Sequence, residues 1–526
     1  MSPTEKMDTQ PSPTTSVIKT TANFQKKTDL WWLFSLNLGV TATAIVLNLF
    51  ASIRLDEAQQ VWASTKSFIG ILKYISQDVH VPLYAVLLHF WIQIFGTDLA
   101  IMRLFSVLFF VLSIPALYIM SRKYGSSNIA KISTSLYCLS PFLTWYSTEI
   151  RMYSLLTFVT ILSHLTFLKL LKSNTTEGKL LYVLVSSIGL YTHYFFGIVV
   201  LMQLTYFILS VLIQKKTTAS TPAFKKWKII MRYFGLLTVV GAAFAPWIIF
   251  VYAQGQSANT KPMLETPTSY NILLLFLNFL TGFQSVNIQN SIISIWPLIV
   301  ILLFLTFGKK TKLNLPYATY FFLMTFGPIA LTALISYNVR PILLSRYLIF
   351  TTPTLFFLLA VIMAHLNRSV FFAVIGIVFV GNFFFQYQQT ASDHIAEKEN
   401  YKGVAEYLSR SAESFDVIAV TVPFTVYPIE YYYKGKAKID TIPQWNRYVS
   451  GSIPAFTAED LEKQIGKYHQ TYRHMYVVLS YDQGYEDDIK TYLDNNMELQ
   501  EKRNFSPGLQ IRKYRMARDY ESNPGG

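Results

Sequence analysis

The sequence predicts a polytopic α-helical membrane protein with a small α/β domain at its C-terminal end. Three observations predict it. Only 14% of the 526 residues are charged and 52% are hydrophobic, whereas a soluble globular chain carries about 25% charged residues. The apolar residues fall in long runs, many near the roughly 20 residues that a hydrocarbon core demands of a spanning helix. After Gln386 the runs stop and charged residues return. A mean hydropathy of +0.33 agrees. The net charge of +15 is spread over short loops and forms no single patch, which argues against nucleic acid as a partner. The lone cysteine, Cys138, lies inside an apolar run, so no intrachain disulfide can form.

Residues 1–29 are polar and rich in Ser, Thr and Pro, and they predict a disordered cytoplasmic N-terminus. Lys26 and Lys27 precede the first apolar run. That run is too long for a signal-peptide core and no small-residue cleavage site follows it, so it reads as a retained first span, 31–53. Ten more spans are expected, at 99–120, 129–146, 153–171, 180–190, 194–213, 229–251, 292–307, 317–335, 347–365 and 370–385, about eleven in all. Loop charge supports this ladder. The loops assigned inside hold Arg122 and Lys123, the bases from Lys172 to Lys179 and from Lys215 to Arg232, Lys309 to Lys312, and Arg368, with the single acid Glu177. The loops assigned outside hold Asp56, Glu57, Asp78, Asp98, Glu149 and Glu265. Basic loops favour the cytoplasm. Two outer segments, 54–98 and 252–291, contain apolar stretches at 82–95 and 270–283 that are short for a span. The first fits an interfacial or a buried helix.

The transmembrane part is thus expected over 30–386 and an extracytoplasmic α/β domain over 387–526. Helices are read at 400–412 and 457–468, strands at 416–422 and 475–480. Thr457 and Asp460 have the spacing of a helix N-cap. Alternating helices and short apolar strands suggest the α/β class. No Gly-rich phosphate loop follows either strand.

The chemistry-bearing residues collect at the outer ends of the spans: Asp56 and Glu57 after the first, His80 in the same loop, Arg103 one turn into the second, Glu149, Arg151 and Tyr153 between the third and fourth, His193 between the fifth and sixth, Arg340 and Arg346 between the ninth and tenth. Ionisable groups next to hydrocarbon are costly and tend to mark function. Each also has an ordinary role. Asp56 and Glu57 can end a helix in water, and Asp98 can cap the next one. Arg103 and Arg346 can snorkel to headgroups. Glu149 can pair with Arg151, His193 can be a hydrogen-bonded interfacial histidine, and the tyrosines can belong to an aromatic belt. Convergence of acids, histidines and arginines on one face favours function.

Six segments carry a resemblance: Arg54-Leu-Asp-Glu-Ala58, His80-Val-Pro-Leu-Tyr84, Arg103-Leu-Phe-Ser106, Ser140 to Tyr153 with its Glu-x-Arg-Met-Tyr, Tyr191-Thr-His-Tyr194 and Arg346-Tyr-Leu348. In this order they resemble bacterial membrane glycosyltransferases of the protein mannosyltransferase-like superfamily, relatives of lipid A aminoarabinose transferase and protein O-mannosyltransferases. The resemblance covers roughly residues 30–385. It implies the GT-C fold, a polyprenyl-phosphate sugar donor and inversion at the anomeric carbon. It also implies a catalytic acid at Asp56. The large lumenal insert of eukaryotic protein mannosyltransferases is missing here, and a C-terminal outer domain stands instead, so the acceptor stays open: lipid, glycan or protein.

The residues suit such chemistry on their own terms. An acceptor hydroxyl is a poor nucleophile and needs a base, for which Asp56 is the candidate, with Glu57 in support. A departing lipid phosphate needs fixed cations, and arginine binds phosphate oxygens through a planar fork. Arg151, Arg340 and Arg346 are the candidates. His80, Glu149, Tyr153 and His193 are candidates for positioning donor or acceptor. No cluster has metal-ligand spacing, so no metal is assigned. A transporter or lipid flippase is the alternative. It predicts ionisable residues near mid-span and broken helices in two matching halves. The charges here sit at one end and the halves do not match. A receptor or scaffold acting through its outer domain would ask nothing of Asp56.

Overall fold

The computed structural model describes residues 31–78, 80–173, 175–213, 223–254, 264–294, 318–391, 395, 398–447, 453–482 and 484–516. Among them seven helices are long and apolar enough to cross a membrane. The pair Ser269–Thr281 and Val286–Ser294, bent by 103°, makes eight if counted as one span. The segment 1–29 and nearly all of the span expected at 292–307 lie outside the described residues. The molecule is a polytopic helical protein with a C-terminal sheet, as the composition predicts.

The helix Tyr153–Lys172 is central. It packs against Leu99–Tyr124, Thr176–Thr192 and Thr352–Ala364, and 72% of its apolar window is buried, against 11% for Trp227–Ala253 at the periphery. An apolar helix left bare in this way is covered by lipid tails. Several mid-span polar groups in the core pair with one another. His164 Nδ1 lies 2.8 Å from Tyr320 Oη, and Gln203 Nε2 donates to Ser163 Oγ at 2.9 Å. Such bonds hold helices together in an apolar medium. His164 stands within the helix Tyr153–Lys172, away from the span ends where the ionisable residues gather.

One expected span is corrected. The reading ran a single helix across 129–146, but the chain breaks at Ser140 into Ser127–Leu139 and Pro141–Thr148. Pro141 has no N–H with which to continue the first helix and suits the first turn of the second. Ser140 Oγ accepts from Leu143 N at 3.3 Å. The short second helix ends directly at Glu149 and so aims the Glu149–Tyr153 loop.

The segment after the first span forms three helices, Leu55–Ser64, Phe68–Ser76 and Leu83–Phe95. The first has a polar composition and gave no apolar signal in the sequence. The third buries Tyr84, Ala85 and Leu88 and exposes Phe90, Ile94 and Phe95. One buried and one bare apolar side suit the interfacial placement. Asp98 caps the next helix as expected, accepting from Ala100 N at 3.0 Å.

The C-terminal sheet has five strands: β1 (Val417–Thr421), β2 (Lys438–Ile442), β3 (His474–Leu479), β4 (Glu498–Ser506) and β5 (Leu509–Arg515). Their order is β2-β1-β3-β5-β4. β1 is parallel to β2 and β3, while β5 is antiparallel to β3 and β4. Side chains alternate across the sheet with period two. Ile418 and Val420 meet Val404 and Leu408 of the helix Tyr401–Ser411 on one face. Val417 and Ala419 meet Leu461, Ile465, Ile489 and Leu493 on the other. Thr457 Oγ1 accepts from Asp460 N at 3.1 Å, the expected cap. Strands β1 and β3 fall where they were read. β2, β4 and β5, with alternation broken by charge, were not.

Candidate active site

The first span ends at Leu49, and the chain turns through Ala51–Arg54 into the helix Leu55–Ser64. Asp56 and Glu57 therefore sit in that helix's first turn, where carboxylates are favoured by the helix dipole. Neighbours on a helix point about 100° apart, and these two acids meet different surroundings.

Glu57 is 1% exposed. It accepts from Arg103 Nε at 3.0 Å and Nη2 at 2.7 Å, from Arg54 N at 3.0 Å and from Ile150 N at 3.1 Å. Burial pushes its carboxyl up, but Arg103 and Arg54 together outweigh this and hold it below the usual range. Arg103 also donates to the carbonyls of Asn48, Leu49, Ala51 and Ser52 at 2.7–3.0 Å. Asn48 and Leu49 close the first span, where carbonyls run out of helical partners, and Ala51 and Ser52 belong to the turn that follows. Arg103 thus reaches inward and does not snorkel. The pair ties the first span, the Asp56 helix, the second span and the Glu149 loop together.

Asp56 is more open, with its side chain 30% exposed, and its Oδ2 lies 3.2 Å from Arg346 Nη1. Burial raises the carboxyl, while Arg346, then Arg151 and His80, lower it further, to about 2. Arg346 comes from a 3-10 turn, Ser345–Thr351, that leads into the helix Thr352–Ala364. Arg151 Nη2 lies 2.6 Å from His80 Nε2, and Arg151 Nη1 approaches the Asp56 carbonyl at 3.5 Å. Burial, then Arg151, depresses the His80 imidazole, so its Nε2 accepts this bond as a neutral ring. His193 is buried and pushed down to about 3, by burial first and then by His80. Its ring lies 5.7 Å from that of Tyr347. Tyr153 is fully buried with its ring 4.9 Å from that of Tyr146. Three buried donors here have no hydrogen-bond partner among the described residues: Arg151 Nε, Arg346 Nε and Tyr153 Oη. Unsatisfied donors of this kind are expensive unless something accepts from them.

Glu149 faces the other way. It pairs with Arg54, whose guanidinium lies 4.7 Å over the ring of Trp145. Burial pushes the Glu149 carboxyl up. Glu149 therefore does not pair with Arg151, two residues along. On this side a cavity of about 490 Å³ opens between the first span and the C-terminal segment, lined by Asn48, Arg54, Trp145, Glu149, Glu399 and Ser506 among others.

The structure thus brings Asp56, His80, Arg151, Tyr153, His193 and Arg346 to one side, and Glu57 and Glu149 to its frame. Arg340 is not gathered with them. It is exposed beyond the helix Ala318–Asn338, and no side-chain contact to these acids is described. The reading missed Glu399. Its Oε2 accepts from Leu55 N at 2.7 Å and its other oxygen from Tyr481 Oη, and burial pushes its carboxyl up to about 7. Nothing in the charged run around it distinguishes Glu399. Among the described residues no three His, Cys, Asp or Glu side chains converge as metal ligands.

Residues 79–250, about a third of the chain, match the family of dolichyl-phosphate-mannose-protein mannosyltransferases. No curated protein matches the sequence as a whole. The fold is similar to that of ArnT from Cupriavidus metallidurans in the apo state. The likeness has a TM-score of 0.58 at 11% identity and covers 92% of this chain and 97% of that one. The same protein bound to undecaprenyl phosphate gives a TM-score of 0.56 at 11% identity, over 92% and 98% of the two chains. The resemblance and the GT-C fold expected from the sequence are borne out.

Proposed function

We propose that this chain, similar to mannosyltransferase-like GT-C membrane glycosyltransferases, moves a hexose or pentose from a polyprenyl-phosphate donor to an acceptor hydroxyl, with inversion, at the outer face of the plasma (inner) membrane. The observation that carries this reading is the pairing of one ionised, accessible carboxylate with three unpartnered buried donors beside it. Arg346 Nε, Arg151 Nε and Tyr153 Oη can donate to the oxygens of a lipid phosphate. Undecaprenyl phosphate bound to a protein of the same fold supports that ligand class. Residues 30–386 form the transmembrane catalytic part and 387–526 the outer unit. Arg340 stands outside the phosphate site in this reading.

The acceptor oxygen attacks the anomeric carbon on the face away from the phosphate. The carbon–oxygen bond to the phosphate breaks, and its electron pair leaves with polyprenyl phosphate. The acceptor proton passes to Asp56. A carboxylate held at about 2 is a weak base. A bound phosphate engages Arg346 and withdraws this counter-charge, so donor binding raises the basicity of Asp56. His80, neutral and held by Arg151, and His193 border the sugar. The acceptor, a lipid, glycan or protein hydroxyl, reaches Asp56 from the side of Arg346 and His80, since Asp56 does not line the cavity beside Glu149. The glycans of cells with and without this protein name the product. Identical surface glycans in both would remove the reading.

Arg346→Ala should lower kcat/KM with the lipid-linked sugar about ten- to hundredfold, the effect of losing a charge-assisted bond of roughly 1.5–3 kcal/mol. Unchanged kinetics would leave Arg346 as a headgroup contact. Orientation is tested in intact cells. Single cysteines at Thr65 and Lys502 should react with an impermeant thiol reagent, and one at Thr176 should not. All three are exposed, and Thr176 lies beyond the far end of the 20-residue helix that begins at Tyr153, about 30 Å away. The reverse labelling pattern would turn the site toward the cytoplasm.

A further inference from the structure

We propose that Glu399 is a positioning residue, through which the outer α/β unit holds Asp56 in place. The inference rests on the reading of Asp56 as the base. The helix that carries Asp56 begins with backbone N–H groups that have no helical partner. Three consecutive amides there are each held by a side chain. Ile53 N donates to Tyr432 Oη at 2.8 Å, Arg54 N to Glu57 at 3.0 Å and Leu55 N to Glu399 Oε2 at 2.7 Å. Two of those three partners come from beyond the last span. A third tie runs the other way, from Lys402 N to Ser52 Oγ at 3.2 Å.

Side chains make the same connection. Leu55, the residue before Asp56, packs into the core of the outer unit with Tyr401, Ile418, Val420 and Ile429. At the far end of the same helix Trp62 meets Tyr427, with ring centroids 5.0 Å apart. The helix Leu55–Ser64 is therefore held at both ends by the C-terminal part of the chain. A carboxylate suits its start, where the dipole is positive. Tyr481 donates to the second Glu399 oxygen and orients it. Asp56 is one peptide from this anchor, so a slip of the helix start moves its carboxylate directly. General-base catalysis is sensitive to such slips, since a displacement of about 1 Å can cost about a hundredfold.

The test uses the full chain, purified in nanodiscs, with undecaprenyl-phosphate-linked hexoses and pentoses as donors. Hydrogen exchange at the amides of residues 53–58 is followed alongside kcat and donor KM. Glu399→Ala should speed exchange there and lower kcat about ten- to hundredfold, with donor KM within about threefold of wild type. Glu399→Gln should restore both, because its amide oxygen can accept from Leu55 N and its NH2 can donate to Tyr481. Glu399→Asp keeps the charge but falls short by one methylene. It should resemble Glu399→Ala, and it serves should that variant fold poorly. Equal loss in the Gln variant, or a kcat that stays at wild type while exchange rises, would overturn the proposal. A wild-type protein inactive with every donor would remove the functional reading instead. The exchange data then decide alone. Protection lost in the Ala or Asp variant and kept in the Gln variant upholds the anchor, and unchanged protection refutes it.

Discussion

Asp56→Asn should give a folded, membrane-inserted protein that binds its lipid donor and transfers almost no sugar. Asn keeps the shape and can still accept a hydrogen bond, but it cannot take a proton at neutral pH. General-base catalysis contributes about 10²–10⁴-fold in rate, and the loss should fall on kcat. Folding should be little changed, because the Asp56–Arg346 pair is about one-third exposed on each side and solvent screens such pairs. Donor affinity should hold or rise, since Arg346 is released for the phosphate. The pH profile carries a second signature. The folded carboxyl titrates near 2, below its ordinary 3.8. Its charge, and the stability it adds through Arg346, are complete above about pH 4 and fade as pH falls toward 2. The acid limb of kcat/KM in the free protein should therefore lie below pH 4, and Arg346→Ala should move it upward. A transfer assay on Asp56→Asn and Glu57→Gln decides the assignment. If the Asn variant stays active and a well-folded Gln variant does not, the base is Glu57.

Arg103→Ala should cost stability more than chemistry. It strips Glu57 of its two-pronged partner while leaving the acid 1% exposed, and it frees four carbonyls at the end of the first span. Removing one partner of a buried ion pair costs about 3–5 kcal/mol, because the other charge stays behind without water. The measurable result is a lower folded yield and a lower thermal midpoint in detergent. Glu57→Gln should destabilise in the same direction, leaving Arg103 as the orphan. Combining Glu57→Gln with Arg103→Met, which fills the space without charge, should recover part of the loss. A midpoint equal to wild type in Arg103→Ala would mean that Arg103 is a surface arginine after all.

Much of this was legible in the amino-acid order because the bilayer is a simple solvent. It demands long apolar helices, so most of the spans and the charged cluster at their ends could be read from hydropathy and charge. The apolar run Val417–Val420 and the cap at Thr457 were equally local. Other features depend on residues far apart in the chain. Asp56 and Glu57 are adjacent and chemically alike. Packing against Arg103 makes Glu57 a buried strut, and Arg346, 290 residues away, pairs with Asp56. The break at Ser140 was hidden because an apolar run reads the same whether straight or bent. Arg340 and Arg346 are six apart with equal claims by composition, and the fold brings only Arg346 to the acid. Glu399 had no signal at all, since a carboxylate acquires its meaning from the N–H that it accepts. Local chemistry and solvent therefore determined which residues lie at the span ends, and long-range packing alone decided which of them meet.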